Sequence, residues 1–421
     1  MNRTPKAAEL ALLASLVVLA GAELLIRGPM RQGKGQDLAA PYVSALRFIH
    51  GQNPYPADDF LNSWHRAGAP TSLTLDDSGQ RPIYPPTTLL VVAPLAELRW
   101  PSAVLLYMWA CTLSYATLIW LLARLVDDRW RSAKRLGFVA FALGVASVHT
   151  GIALGNLSAA VFVLCGYALY ISYFSDTAIS GILLSIAFCV KPPAAIAAVL
   201  LHLFLRRTRA VLAFLGTSVV IACTAAALML RVDPHWKAAY QDNLQSVLSR
   251  NGAADFTANN LARFDAVNLQ VPLYTLFHNV QVANSLALAI SGTLAILWLI
   301  LFGRNRSITT GSYWLAAGTL SLVALLPVYQ RSYNCGVIVF VALWAFNEIH
   351  EVQAKATLLA SLAFLLPGKA ILQDSGLAAE HSSSILWNLL LMSQLTWSII
   401  AVIAICLSYK ARAPAGLARV N

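Results

Sequence analysis

Apolar runs alternate with short polar stretches from one end of the chain to the other. A helix needs about 20 apolar residues to cross a bilayer. Runs long enough, or nearly so, stand at 7–27, 101–126, 136–152, 157–175, 177–190, 192–205, 210–231, 281–302, 310–328, 335–347, 355–372 and 384–408. The pattern predicts an all-α polytopic membrane protein of about 12 spans. The pair of runs meeting at Lys191-Pro192-Pro193 must be short or broken helices, because proline has no N–H to continue a helix. Two polar segments are long, 28–100 and 232–280. Within the first, Leu38, Tyr42, Ala45 and Ile49 share one face of a helix that starts at Asp37, which predicts a helix lying along the membrane interface. Thr87–Leu98 is apolar but too short to span, and reads as re-entrant or surface-lying. The second long segment reads as a solvated loop.

Composition agrees. Hydrophobic residues make up 58% of 421 and charged residues only 12%, against about 45–50% and about 25% in soluble domains. Mean hydropathy is +0.64. One membrane domain, 1–421, follows. The net charge of +11 does not point to nucleic acid, because the basic residues crowd short connections between runs and form no patch interleaved with aromatics. Arg129, Arg131, Lys134 and Arg135 form one cluster, and Arg206, Arg207 and Arg209 another. By the positive-inside rule these face the cytoplasm, as do both termini, and the two long segments face outward. The residues after Lys6 read as an uncleaved signal-anchor, and the expected location is the inner (plasma) membrane. None of the six cysteines has CxxC spacing, so neither a zinc site nor a disulfide framework is expected.

Chemistry concentrates in the outward segments. Asp37 reads first as a helix N-cap and second as a carboxylate for chemistry on lipid-borne substrates at the membrane surface. Gly51-Gln52-Asn53-Pro54-Tyr55 is a turn, and Gly155-Asn156 breaks two apolar runs. Lys191 between apolar runs is costly in a membrane and is either a functional cation or a snorkelling side chain. Arg331, flanked by Tyr329 and Tyr333, either grips a phosphate or anchors its helix. Asp58-Asp59 and Asp76-Asp77 lack further ligands, so no metal is expected; no cofactor motif is present, and His149 and His202 read as structural.

As an ordered series these pieces resemble family 87 of the glycosyltransferases, a C-type membrane group. The carriers are Asp37 with Tyr42, Gly51-Gln52-Asn53-Pro54-Tyr55, Tyr84-Pro85-Pro86 with Ala93-Pro94-Leu95-Ala96, and Gly155-Asn156. Lys191-Pro192, Asn243-Leu244-Gln245-Ser246 with Arg250, and Tyr329-Gln330-Arg331-Ser332-Tyr333 continue the series. The family often has histidine where Gln330 stands and aspartate where Asn334 stands. The resemblance implies the C-type architecture and an inverting hexosyltransferase. Its donor is a polyprenyl-phosphate sugar, mannose first among hexoses and pentoses, and its acceptor is lipid- or glycan-linked at the outer face. It implies Asp37 as the base and Lys191, Arg331 and Arg250 as ligands of the donor phosphate. Substrate contacts are expected from Tyr42, Asn53, Tyr55, Tyr84, Asn156, Gln330 and Tyr333. The rival readings are a secondary transporter or flippase of lipid-linked sugars, and a surface-polysaccharide polymerase or ligase.

Overall fold

The computed structural model describes residues 7–31, 35–57, 59–74, 81–126, 132–249, 252–260, 263–303, 310–365 and 384–412. Among them the fold is helical, with one isolated β-bridge between Ala266 and Arg331. The helices are α1 (Ala7–Arg27), α2 (Gln36–Ile49), α3 (Phe60–Arg66), α4 (Pro86–Ala96), α5 (Trp100–Ala123), α6 (Ala133–Leu143), α7 (Ala146–Ala153), α8 (Leu157–Phe174) and α9 (Ala178–Val190). They continue as α10 (Pro192–Phe204), α11 (Thr208–Val232), α12 (Trp236–Leu248), α13 (Gln270–Phe277), α14 (Val280–Gly303), α15 (Thr310–Val323), α16 (Ile338–Asn347), α17 (Val352–Ser361) and α18 (Gln394–Arg412).

Seven helical stretches among the described residues are long and apolar enough to cross a bilayer: α1, α5, α6 with α7, α8, α11, α14 and α18. The chain is therefore a polytopic membrane protein, with fewer full-length spans than the expected 12. The difference lies in the short runs. α9 and α10 have 13 residues each, a rise of about 20 Å, where a bilayer core needs about 30 Å. The segment 232–280 also departs from expectation, since it folds into α12 and α13 rather than a loop.

Two compact units are formed. One comprises Leu25–Tyr115 and His149–Asp255. Within it α9 packs on α4, α8, α10 and α11, and α2 packs on α3 and α4. α11 buries only Ala210, Ala225 and Met229 of its 25 residues. Its exposed Leu212, Leu215, Val219 and Val220 give it a surface suited to lipid tails. α2 is the reverse case. It was expected to show one apolar stripe to its neighbours, but Asp37–Ala45 is buried without interruption, with Arg47 and Phe48. It is a helix enclosed by protein on all sides over this stretch.

The other unit comprises Met1–Leu24, Ala116–Val148 and Phe256–Asn421. Its centre is α16, buried from Ile338 to Ala345 and packed on α6, α15 and α17. α18 closes against α14, α15 and α17.

Candidate active site

Helix α2 begins where two glycines meet. Gly35 caps the helix with φ 78°, and Gly155, between α7 and α8, has φ 67°. Both angles lie in the left-handed region that favours glycine. A Cβ on Gly155 would stand 3.0 Å from the Gly35 Cα and 3.0 Å from the Leu38 Cβ. The close approach is fastened by backbone bonds: Gly35 N–H donates to Ala153 O (3.1 Å) and Asp37 N–H to Leu154 O (2.9 Å). The N-cap reading of Asp37 is thereby replaced. Gly35 holds the cap position, and Asp37 sits inside the first turn at 7% exposure.

The Asp37 carboxylate accepts a hydrogen bond from Asn156 Nδ2 at 2.7 Å. The other end of the Asn156 amide caps α8, its Oδ1 accepting from Ser158 N–H at 2.9 Å. Lys191 Nζ approaches the same oxygen at 3.4 Å and donates to Ser158 Oγ at 2.5 Å. Tyr107 OH donates to Asn156 O at 2.8 Å. Asn156 is therefore both a helix cap and a bridge, one amide wide, between a carboxylate and an ammonium. Buried polar groups of this kind hold position because each partner is satisfied.

Lys191 reaches this place because α9 stops there. Pro192 and Pro193 have no N–H for the last turn of α9. The carbonyls left over find donors on α4: Thr87 Oγ1 donates to Cys189 O (3.0 Å), and Thr88 Oγ1 to Cys189 O (3.1 Å) and Val190 O (3.0 Å). Lys191 then stands at the break with φ −151° and ψ 83°, half-buried.

The remaining sequence candidates of this unit are engaged in holding loops together. Tyr42 is fully buried, donates to Leu98 O at 2.6 Å and meets the Trp100 ring edge-on; burial pushes its pKa up to about 12. Asn53 Nδ2 donates to Asp233 Oδ2 at 2.5 Å, and its Oδ1 accepts from Tyr55 N–H. Tyr55 OH donates to Tyr84 O at 3.0 Å, while its ring stacks on Trp236. Asn243 of α12 donates to Tyr55 O and Pro82 O, tying the second polar segment to the first. A cleft of about 510 Å³ opens among Phe48, Ile49, Leu90, Leu228 and Val232, with Arg231 in its wall.

In the other unit, Arg331 Nε donates to Tyr329 OH and its guanidinium lies 5.7 Å from that ring's centre. Burial alone would depress its pKa, but Tyr329, Tyr333 and Asp265 outweigh it, and the group is held cationic. Gln330 is 2% exposed and accepts from Asn334 Nδ2 at 2.5 Å; its main-chain carbonyl accepts from Val267 N–H. Tyr333 is buried. Arg250, Asp58 and Asp76-Asp77 lie outside the described residues, and Asp59 stands 3.6 Å from Arg47. Among the described residues no three His, Cys, Asp or Glu side chains gather as a metal site would require. His202 bonds Ala198 O and Ser180, a structural role.

Sequence reasoning missed Ser158, Thr87, Thr88 and Asp233. Ser158 had a signal, a hydroxyl two residues into a helix capped by Asn156, and so did the paired threonines opening α4. Asp233 had none, being 180 residues from its partner Asn53.

A buried carboxylate joined through one amide to an ammonium is an arrangement capable of acid–base work. A sequence model of glycosyltransferase family 87 matches residues 83–327, more than half of the chain, and the chain belongs to that family. It is a membrane glycosyltransferase. The matched region contains Asn156 and Lys191; Asp37 lies outside it and joins them through the fold. No curated protein and no solved structure matches the chain.

Proposed function

We propose that the protein transfers a hexose or pentose, mannose first, from a polyprenyl-phosphate sugar to a lipid- or glycan-linked acceptor, with inversion. The site faces outward, where nucleotide sugars are not supplied and a flipped lipid is the available donor. The observation that carries the reading is the Asp37–Asn156–Lys191 chain of hydrogen bonds. In an inverting transfer the acceptor oxygen attacks the anomeric carbon as the bond to the phosphate oxygen breaks. Asp37 takes the acceptor's proton, and the electron pair of the broken bond leaves with the lipid phosphate. The departing phosphate gains negative charge, which the Lys191 ammonium stabilises. Asn156 fixes the spacing between the two. Only one carboxylate is needed, since the leaving phosphate departs without being protonated.

Two further features support a lipid donor. The 510 Å³ cleft is walled by apolar side chains of α2, α4 and α11, which suits an isoprenoid chain. α11 beside it exposes aliphatic side chains along its length. Arg331 keeps a proposed role toward the donor phosphate on the strength of the resemblance.

The test is transfer in proteoliposomes holding the purified full-length protein, radiolabelled polyprenyl-phosphate mannose and crude acceptor lipid. Labelled product with an inverted linkage is expected from the wild type, formed about 10³-fold more slowly by Asp37→Asn. Label that crosses the bilayer without forming a glycosidic product would overturn the reading in favour of a transporter.

A further inference from the structure

The far end of α2 carries a second polar cavity, unconnected in its residues with the Asp37 cluster. It has a volume of about 360 Å³, and its wall includes Arg47, Arg66 and Arg99 with His50, Gln52 and a single acid, Glu97. Arg47 is the anchor. It is 5% exposed; its Nε donates to Asn53 O at 2.9 Å, its Nη2 stands 3.6 Å from Asp59, and its Nη1 has no hydrogen-bond partner. A buried guanidinium nitrogen without a partner is costly. Arg66 adds to that cost, since burial first and then its repulsion lower the Arg47 pKa, with Asp59 opposing both. Arg66 and Arg99 are exposed at the rim, where an arriving ligand meets them. Three guanidiniums, one of them buried and incompletely bonded, around a hollow of this size form a fork-like receptor for phosphate or carboxylate oxygens.

We propose that this cavity binds a phosphate-type anion carried by the acceptor. The inference rests on the transfer reading above. Distance separates this anion from the donor's phosphate. Arg47 lies ten residues beyond Asp37 on one helix, a rise of about 15 Å. The leaving phosphate is bonded to the carbon under attack, so it must lie within a few Å of the hydroxyl that Asp37 deprotonates. An anion held by Arg47 therefore belongs to the other substrate. The spacing further sets the acceptor's form: an anionic group some two or three sugar units from the hydroxyl that is glycosylated.

The experiment is a titration of the purified full-length protein in detergent by calorimetry, with inorganic phosphate and, in a second arm, short-chain phosphatidic acid. Both probes should bind the wild type, the lipid more tightly because the natural anion is carried on the acceptor; inorganic phosphate binding as tightly as the lipid would overturn the acceptor assignment. Arg66→Gln/Arg99→Gln, which spares the buried Arg47, should weaken both about 10-fold. Asp37→Asn should bind them normally, so anion binding is read independently of catalysis. In transfer assays the double variant should raise the acceptor KM with kcat and the donor KM unchanged. Absence of binding in the wild type, or equal binding in the double variant, would overturn the site and leave Arg47 as a partner of Asn53 O and Asp59 alone. Weakened binding with an unchanged acceptor KM would overturn the acceptor assignment.

Discussion

The surroundings of Lys191 and of Arg331 solve the same problem, holding a cation in an apolar protein, in opposite ways. Lys191 is held by residues far from it in the chain: Asn156 and Ser158 bind its ammonium, and α4 threonines complete the break on which it stands. The Arg331 guanidinium bonds its near neighbour Tyr329, with Gln330 and Asn334 paired beside it, while its main chain bridges Ala266. A cation fixed by distant elements reports on the fold of the whole unit. One fixed by adjacent residues reports mainly on its own loop. The first arrangement is the one that couples a positive charge to a carboxylate, and so is the better platform for chemistry.

The largest effect should come from the carboxylate itself. Asp37→Asn keeps the shape and should lower the transfer rate by about 10³-fold, within the range for a lost general base, with membrane insertion and melting temperature unchanged. Lys191→Ala should lower kcat/KM for the donor by about 10²-fold, the magnitude of a lost transition-state charge contact. Gly155→Ala leaves every polar group in place but drives a methyl against Gly35 and Leu38; a shift near 1 Å costs up to about 10²-fold, so a loss of about 30-fold in kcat is expected, with circular dichroism unchanged. Arg331→Ala should reduce donor use by only about fivefold, because its neighbours hold it without linking it to a base. Equal losses from Lys191→Ala and Arg331→Ala would erase the contrast. The smallest catalytic effect is expected from Thr88→Val, which removes the hydroxyl donor to Val190 O and one of two to Cys189 O and should cost about 1–2 kcal/mol of stability, read as a lower melting temperature in detergent.

What the sequence made legible follows from the range of each interaction. Apolar runs placed most helices, since hydrophobicity is a local property; the start of α2 was one residue from expectation. The diproline correctly announced short helices, α9 and α10 of 13 residues each, while seven helical stretches among the described residues have the full length of a span. The enclosure of α2 was hidden too: its stripe at Leu38, Tyr42 and Ala45 was visible, but burial of Val43, Ser44 and Arg47 depends on what folds over the other face. At the site, Asp37, Asn156 and Lys191 were each singled out. Their convergence was implied only by the family resemblance, because separations of 119 and 35 residues are closed by the fold and not by any local pattern. Asn53 and Tyr55, expected from the motif to contact substrate, bond the Asp233 carboxylate and the Tyr84 main-chain carbonyl, partners that no local pattern could name.

The diproline after Lys191 has a consequence for descent. Its kink leaves two carbonyls that α4 alone supplies with hydroxyls, so the two traits are mutually dependent although more than a hundred positions apart. Among kindred chains, Thr88 and Pro193 should be gained or lost as a pair. A lineage that straightens this bend would swing its lysine away from the aspartate and surrender catalysis along with it.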